Sequence, residues 1–205
     1  MKNEMVKNTI IITVIALVCG VLLGAVHEVT AGPIAAEKQR ALEEAYKAVM
    51  AEASSFEAVP EYTADSARQI LDAAADADND FSNDSVDALM AAKDGSGNVL
   101  GYVMDITAGG GYGGNIKFSM GIDASGNIKG ISITEIAETP GLGMRAQSDP
   151  AFLAQFVDKG TDHFTLGGDV QGLTSATITS RCVTKGINAG LAYGKGAGLF
   201  ETKGD

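Results

Sequence analysis

Tryptophan is absent, aromatic residues make up 6% of the 205 residues, and only two histidines and two cysteines occur. Two cysteines are too few for a disulfide scaffold. Cys19 lies inside an apolar run and Cys182 far from it, so a bridge between them is set aside. His27 and His163 are too few for a histidine-built metal centre, and they leave little room for a histidine-based triad. Basic residues are also scarce: Lys and Arg number 15 against 26 Asp and Glu, a formal net charge of -11. That balance is the opposite of a nucleic-acid-binding footprint. Hydrophobic residues reach 45%, ordinary for a globular chain and too low for a polytopic membrane protein.

What is present begins with one long apolar run. From Asn8 to Val26 there are 19 residues without a charge. As a helix they span about 28 Å, close to the hydrocarbon thickness of a bilayer. Lys2 and Lys7 precede the run, and His27 and Glu28 follow it. The positive-inside rule then places residues 1–7 in the cytoplasm and everything after Thr30 on the other side. A cleaved signal peptide is the competing reading, with Ala25 and Ala31 as small residues near a cleavage point. The run is longer than an ordinary signal core, which favours an uncleaved anchor. Within residues 1–30, Lys2 and Lys7 balance Glu4 and Glu28, so the rest of the chain carries the whole acidic surplus.

Residues 27–80 are expected to form a helical stalk or linker. Pro33 opens a helical pattern to about Ser54, with Leu42, Ala45, Tyr46, Val49 and Met50 on one face. Gly32-Pro33 argues for a break from the membrane helix. Ser66 to Ala77 reads as a second helix. Asp76, Asp78, Asp80, Ser82, Asp84 and Asp87 fall at the ligand positions of a calcium loop, but Phe81 stands where the turn needs glycine. A solvated acidic turn is the simpler account.

Residues 81–195 are expected to form the extracytoplasmic domain. Strand patterns cover Ala88–Lys93, Val99–Thr107, Ile116–Ile122 and Ile128–Glu135. The clusters Asp94-Gly95-Ser96-Gly97-Asn98 and Asp123-Ala124-Ser125-Gly126-Asn127 join them into two hairpins of the same design. Asp149-Pro150 caps a short helix through Val157, and Ser180 to about Tyr193 forms a last helix. Residues 196–205 are expected to be a flexible tail. The fold class is α+β: an antiparallel sheet with packed helices, preceded by one N-terminal transmembrane helix.

Gln171-Gly172-Leu173-Thr174-Ser175-Ala176-Thr177 stands just before the last helix. A helix beginning near Ile178 or Thr179 points its free N–H groups at whatever sits on Thr177, which makes an anion site. Ser and Thr are also ordinary N-caps that need no ligand. The run resembles the flavinylation motif of covalent FMN-binding domains, Asp-Gly-x-Ser/Thr-Gly-Ala-Thr. Gln171 replaces the Asp and Ser175 the second Gly. Glu138-Thr139-Pro140-Gly141-Leu142-Gly143 resembles the proline-glycine loop of the same domains, and the glycines from Gly109 to Gly114 resemble their glycine-rich loop. Alone, each of these last two segments reads as a turn or bulge.

Together with the anchor and the acidic domain, these segments resemble the G subunits of Rnf ion-translocating electron transport complexes. They are relatives of the C subunit of the sodium-pumping NADH:quinone reductase. The resemblance implies a non-catalytic electron carrier whose FMN is bound covalently through a phosphoester to Thr177. Thr174, Ser175 and Ala176 would lie near the phosphate, and Thr139, Gly141 and Leu142 would line the ring pocket. It implies further an Rnf-type ferredoxin:NAD oxidoreductase coupled to ion translocation, the other members of that complex as partners, and a flavin transferase that uses FAD and magnesium. Arg181 and Lys185 could offset phosphate charge, or be exposed helix residues. Gln171 and Ser175 leave open a flavin-free assembly role. A flavin reductase holding FMN without a bond is disfavoured by the lack of a Gly-x-Gly-x-x-Gly nucleotide fingerprint.

Overall fold

The computed structural model describes residues 2–76, 79–159 and 163–200. The chain divides into two compact units, residues 1–41 and 42–205. Helix α1 (Lys2–Val49), most of which lies in the first, carries an apolar stretch, none of it buried, long enough to cross a membrane. Pro33 lies inside this helix, so the expected break at Gly32-Pro33 is not made. An interior proline removes one backbone donor and crowds the carbonyl four residues earlier, a local cost that the helical turns on either side outlast here.

The second unit is built on a five-stranded sheet with neighbours in chain order, every pair antiparallel. Its strands are β1 (Ser55–Ala58), β2 (Ser85–Lys93), β3 (Val99–Ala108), β4 (Ile116–Asp123) and β5 (Ile128–Glu135). The helices are α2 (Ala64–Ala74), α3 (Arg145–Ser148), α4 (Pro150–Ala154) and α5 (Thr177–Gly196). The α+β class and the antiparallel sheet are therefore as expected. The four expected strands join in one meander rather than standing as separate hairpins.

The two turns between paired strands share one mechanism. Asp94 Oδ1 accepts the N–H groups of Ser96 (2.8 Å) and Asn98 (2.9 Å). Asp123 Oδ1 accepts those of Ser125 and Asn127, both at 2.9 Å. These are Asx turns, in which the side chain imitates a backbone carbonyl. The Asn98 side-chain and backbone hydrogen bonds hold the Asp94 carboxyl below its usual range.

Side chains alternate across the sheet with period two, and each face has its own core. Met104, Ile106, Phe118, Met120 and Ile122 face α2 and α5. Val103 faces Tyr46 and Val49 from the end of α1 and Met50 just beyond it. On that second face Asp105 accepts hydrogen bonds from Tyr46 Oη (2.5 Å) and Ser119 Oγ (2.6 Å). Burial pushes the Asp105 carboxyl above its ordinary value. Helix α5 lies close on the first face because Gly186 and Gly190 present no side chain. A Cβ at Gly186 would come within 2.6 Å of the Ala108 Cβ, and one at Gly190 within 2.5 Å of Met120.

Several boundaries differ from expectation. Helix α1 stops at Val49, and Phe56 of β1 packs on the second core, so residues 42–80 belong to the globular unit rather than to a stalk. Helix α2 starts earlier than Ser66 because Thr63 caps it, its Oγ1 accepting the Ser66 N–H at 3.2 Å. Helix α2 ends at Ala74; Ala77 lies outside the described residues. Leu199 and Phe200 pack against the main core, while 201–205 lie outside the described residues.

The calcium-like loop is dispersed. Asp76 binds Asn79, Asp80 caps Ser82, Asp87 binds Ser85 and Thr107, and Asp84 turns inward. Asp78 lies outside the described residues, among which no cluster of acids gathers as metal ligands.

Candidate functional site

Three loops and one helix end meet around a cleft of about 540 Å³. The loop after β5 contributes Glu138, Thr139, Leu142 and Gly143; the loop between β3 and β4 contributes Tyr112; residues 175–179 supply the floor. The volume falls in the ~300–1,000 Å³ range of small-molecule sites.

The helix end is the most informative part. Ala176 is the N-cap of α5, and no side chain caps it. The first N–H groups of an uncapped helix have no intrahelical partner and favour an anion. Thr177 is the first helical residue and is exposed, so its hydroxyl stands beside those donors. The ordinary capping account of these Ser and Thr residues is therefore not what the chain adopts.

The approach to Thr177 is held from both sides. The Gln155 side chain accepts the Gln171 N–H (2.8 Å) and donates to the Gln171 carbonyl (3.1 Å). Ser180 Oγ accepts the Leu173 N–H and donates to the Ala176 carbonyl, both at 2.9 Å. Ser175 takes φ 64°, a left-handed conformation that glycine adopts without cost.

The rim is apolar. Tyr112 is 72% exposed, Ile178 50% and Leu142 42%; beyond α1 only Val99 is a comparably exposed large hydrophobic residue among those described. Leu142 is turned outward by a type II turn: Leu142 N–H donates to Thr139 O at 3.1 Å, with Pro140 and Gly141 (φ 76°) at the centre. Gly143 is required by crowding, since a Cβ there would lie 2.6 Å from both Glu138 Oε2 and Thr179 Oγ1.

An uncapped helix end, an exposed hydroxyl and an apolar rim fit a flat aromatic group carrying a phosphate. Residues 1–49 match the RnfG N-terminal region, and residues 111–192 match the FMN-binding domain. The G subunit of the proton-translocating ferredoxin:NAD(+) oxidoreductase complex of Clostridium ljungdahlii is 30% identical, over 91% of this chain and 89% of that one. The G subunit of the Na(+)-translocating complex of Acetobacterium woodii is 29% identical, over 90% and 89%. This chain belongs to the RnfG family.

As an RnfG-family member it is a single-pass, FMN-binding component of a membrane-bound electron-transfer complex. The crystal structure of the C subunit of the Na(+)-translocating NADH-quinone reductase from Parabacteroides distasonis is 23% identical, with a TM-score of 0.43. The match covers 53% of this chain and 61% of that one.

Of the residues that the RnfG resemblance singled out, Thr139, Leu142, Ser175, Ala176 and Thr177 line the cleft. Gly141 shapes the turn without lining it. Thr174 lies on a separate, open cleft with Arg145, Gln155 and Gln171. Lys185 does not face the phosphate end: its Nζ is 3.1 Å from Asp84 Oδ2. Arg181 is exposed and does not line the cleft. Asp84 is 2% exposed, and its other oxygen accepts the Gly109 N–H at 2.9 Å. Burial raises the Asp84 carboxyl above its usual value, partly offset by Gly109 and Lys185. Behind the same loop, burial pushes the Cys182 thiol up to about 11, and its Sγ donates to Ala108 O at 3.4 Å.

Glu138, Tyr112, Gly143, Ile178 and Thr179 line the cleft without having been singled out as site residues. Glu138 and Gly143 stand inside the proline-glycine motif, and Tyr112 inside the glycine run. Ile178 and Thr179 were obscured because the helix starts at Thr177 rather than beyond it.

Proposed function

We propose that Thr177 carries FMN through a phosphoester on its Oγ1, and that the domain relays electrons within an ion-translocating ferredoxin:NAD oxidoreductase. The observation that carries this reading is the exposed Thr177 hydroxyl at the first position of an uncapped helix, opening on an FMN-sized cleft.

Electrostatics favours a covalent link. A free phosphate monoester bears about -1.5 to -2 at neutral pH. Among the described residues no Lys, Arg or His lines the cleft, and Glu138 adds a negative charge. A helix N-terminus offers roughly half a positive charge. A diester bears only one negative charge, so esterification to Thr177 lowers the repulsion that this site would exert. The bond also retains the group on the far side of a membrane.

When bound, FMN supplies reversible electron transfer, which is the cofactor's own chemistry. The protein's residues anchor and shield it. The α5 N–H groups hold the phosphate, and the Gln155 and Ser180 contacts fix the loop that leads to it. Leu142, Ile178 and Tyr112 offer apolar surface to the ring. Unmodified Thr177 has no histidine beside it to act as a base, so a flavin transferase drawing on FAD performs the attachment. Lys2 and Lys7 before the apolar run support a cytoplasmic N-terminus and an extracytoplasmic domain.

Intact-protein mass of the full chain, produced beside a flavin transferase, tests this. The expected gain is one FMN less one water, absent in Thr177→Ala. A wild-type chain of unmodified mass from an active native complex would sink the assignment. It would favour the flavin-free assembly role to which the left-handed Ser175 and Gln171 point.

A further inference from the structure

Among the described residues that line the cleft, one carries a formal charge, and it is negative. Glu138 is 7% exposed. Its Oε1 accepts the Gly113 N–H at 3.2 Å, tying the loop after β5 to the loop between β3 and β4. Among the described residues Oε2 takes no hydrogen bond and meets no cation, and it is not among the fully buried unpartnered atoms, so its edge is open to the cleft. It stands beside Gly143, opposite Thr179 Oγ1. Burying a carboxylate without a cation costs stability. Holding Gly113 needs only an acceptor oxygen, which a neutral Gln would supply. The charge itself is thus surplus to the fold.

We propose that Glu138 is a redox-tuning residue: its carboxylate charge lowers the reduction potential of FMN bound in this cleft. The proposal rests on the reading that FMN occupies the cleft. An electron added to the ring brings one negative charge unless a proton follows it. A fixed carboxylate in the wall opposes that added charge, and partial burial weakens the screening by solvent. A monopole acts on the ring whichever edge faces it, so no particular ring orientation is required. Charge near the ring is one of the means by which a protein sets a flavin's electronics.

The test uses the full chain, produced beside a flavin transferase and purified in detergent. Wild type, Glu138→Gln and Glu138→Asp are weighed intact and then titrated potentiometrically by flavin absorbance. The midpoint of Glu138→Gln is expected to move positive. At the wild-type midpoint its oxidised-to-reduced ratio falls roughly tenfold, the order expected for removal of one nearby charge at an effective dielectric of ~20. Glu138→Asp, which keeps the charge, stays near wild type. A merely structural role moves stability but not the midpoint of loaded protein.

A loaded Glu138→Gln with an unchanged midpoint overturns the proposal and leaves the FMN reading intact. A bare wild type overturns the FMN reading instead. Should Glu138→Gln fold but refuse the flavin, Glu138→Met is read in the same way. If both neutral variants stay bare with native circular dichroism, the tuning role is overturned and Glu138 acts in loading.

Discussion

Replacing Ser180 by Ala removes one oxygen from beneath the loop that presents Thr177. Ser180 is fully buried, and its Oγ serves the Leu173 N–H and the Ala176 carbonyl. The two losses are unequal. The Ala176 carbonyl keeps the Ser180 backbone N–H at 2.9 Å, so it stays satisfied. The Leu173 N–H has no second acceptor among the described residues, and Leu173 is only 6% exposed. An orphaned buried donor costs about 1–3 kcal/mol. Alanine returns about 0.5 kcal/mol through helix propensity. The net expectation is a loss of about 1.5 kcal/mol, concentrated at residues 171–176. Urea unfolding of the full chain in detergent measures the total. Hydrogen exchange of the peptide containing Leu173 locates it, and intact mass reports whether Thr177 still accepts its group. A stability change below about 0.5 kcal/mol with unaltered exchange at Leu173 refutes the reasoning.

Ser175→Gly is expected to raise stability by about 0.5 kcal/mol, because relief of the left-handed Cβ strain slightly exceeds glycine's entropic cost. A lower urea midpoint, or loss of the flavin mass, would count against that. Lys185→Met strands the buried Asp84 carboxylate and is expected to cost about 3 kcal/mol at neutral pH. Burial already holds the folded Asp84 carboxyl above its unfolded value. Asp84's contribution is therefore fully present below the unfolded pKa and lost as pH rises through the folded one. The Lys185→Met deficit should shrink on acidification, and Asp84→Asn should repair most of it; a deficit independent of pH contradicts the assignment.

Most of the fold was legible because it is written in local signals. The Asp-x-Ser-Gly-Asn turns carry their own hydrogen-bond acceptor, and the strands between them alternate with period two, so neither needed tertiary knowledge. β1 was hidden because Ser55–Ala58 is too short to show a period, and the sheet edge alone defines it. Gly32-Pro33 misled because proline's removal of a donor is a local rule, and one missing bond did not end α1. The calcium-like spacing misled for the reverse reason. Ligand spacing counts only if the carboxylates converge, and Asp84 instead meets Lys185, 101 residues on, across a buried contact.

The candidate site was legible in its motifs and illegible in its physics. Hydroxyl residues before a helix ordinarily signal a cap, and the sequence alone cannot say which residue will be Ncap. Here the chain places Ala176 there, idles Thr177's hydroxyl at N1, and commits Ser180's hydroxyl one turn later to the loop. Had Ser175 or Thr177 been the cap, the first helical N–H groups would be satisfied internally, with no electrostatic reason for an anion to sit there. Alanine at Ncap is the least helpful choice for an isolated helix, and its cost is offset once a phosphate supplies the missing acceptor. Substituting Ser for Ala176 therefore pulls in two directions: it stabilises the bare chain and competes with the phosphate for the same donors.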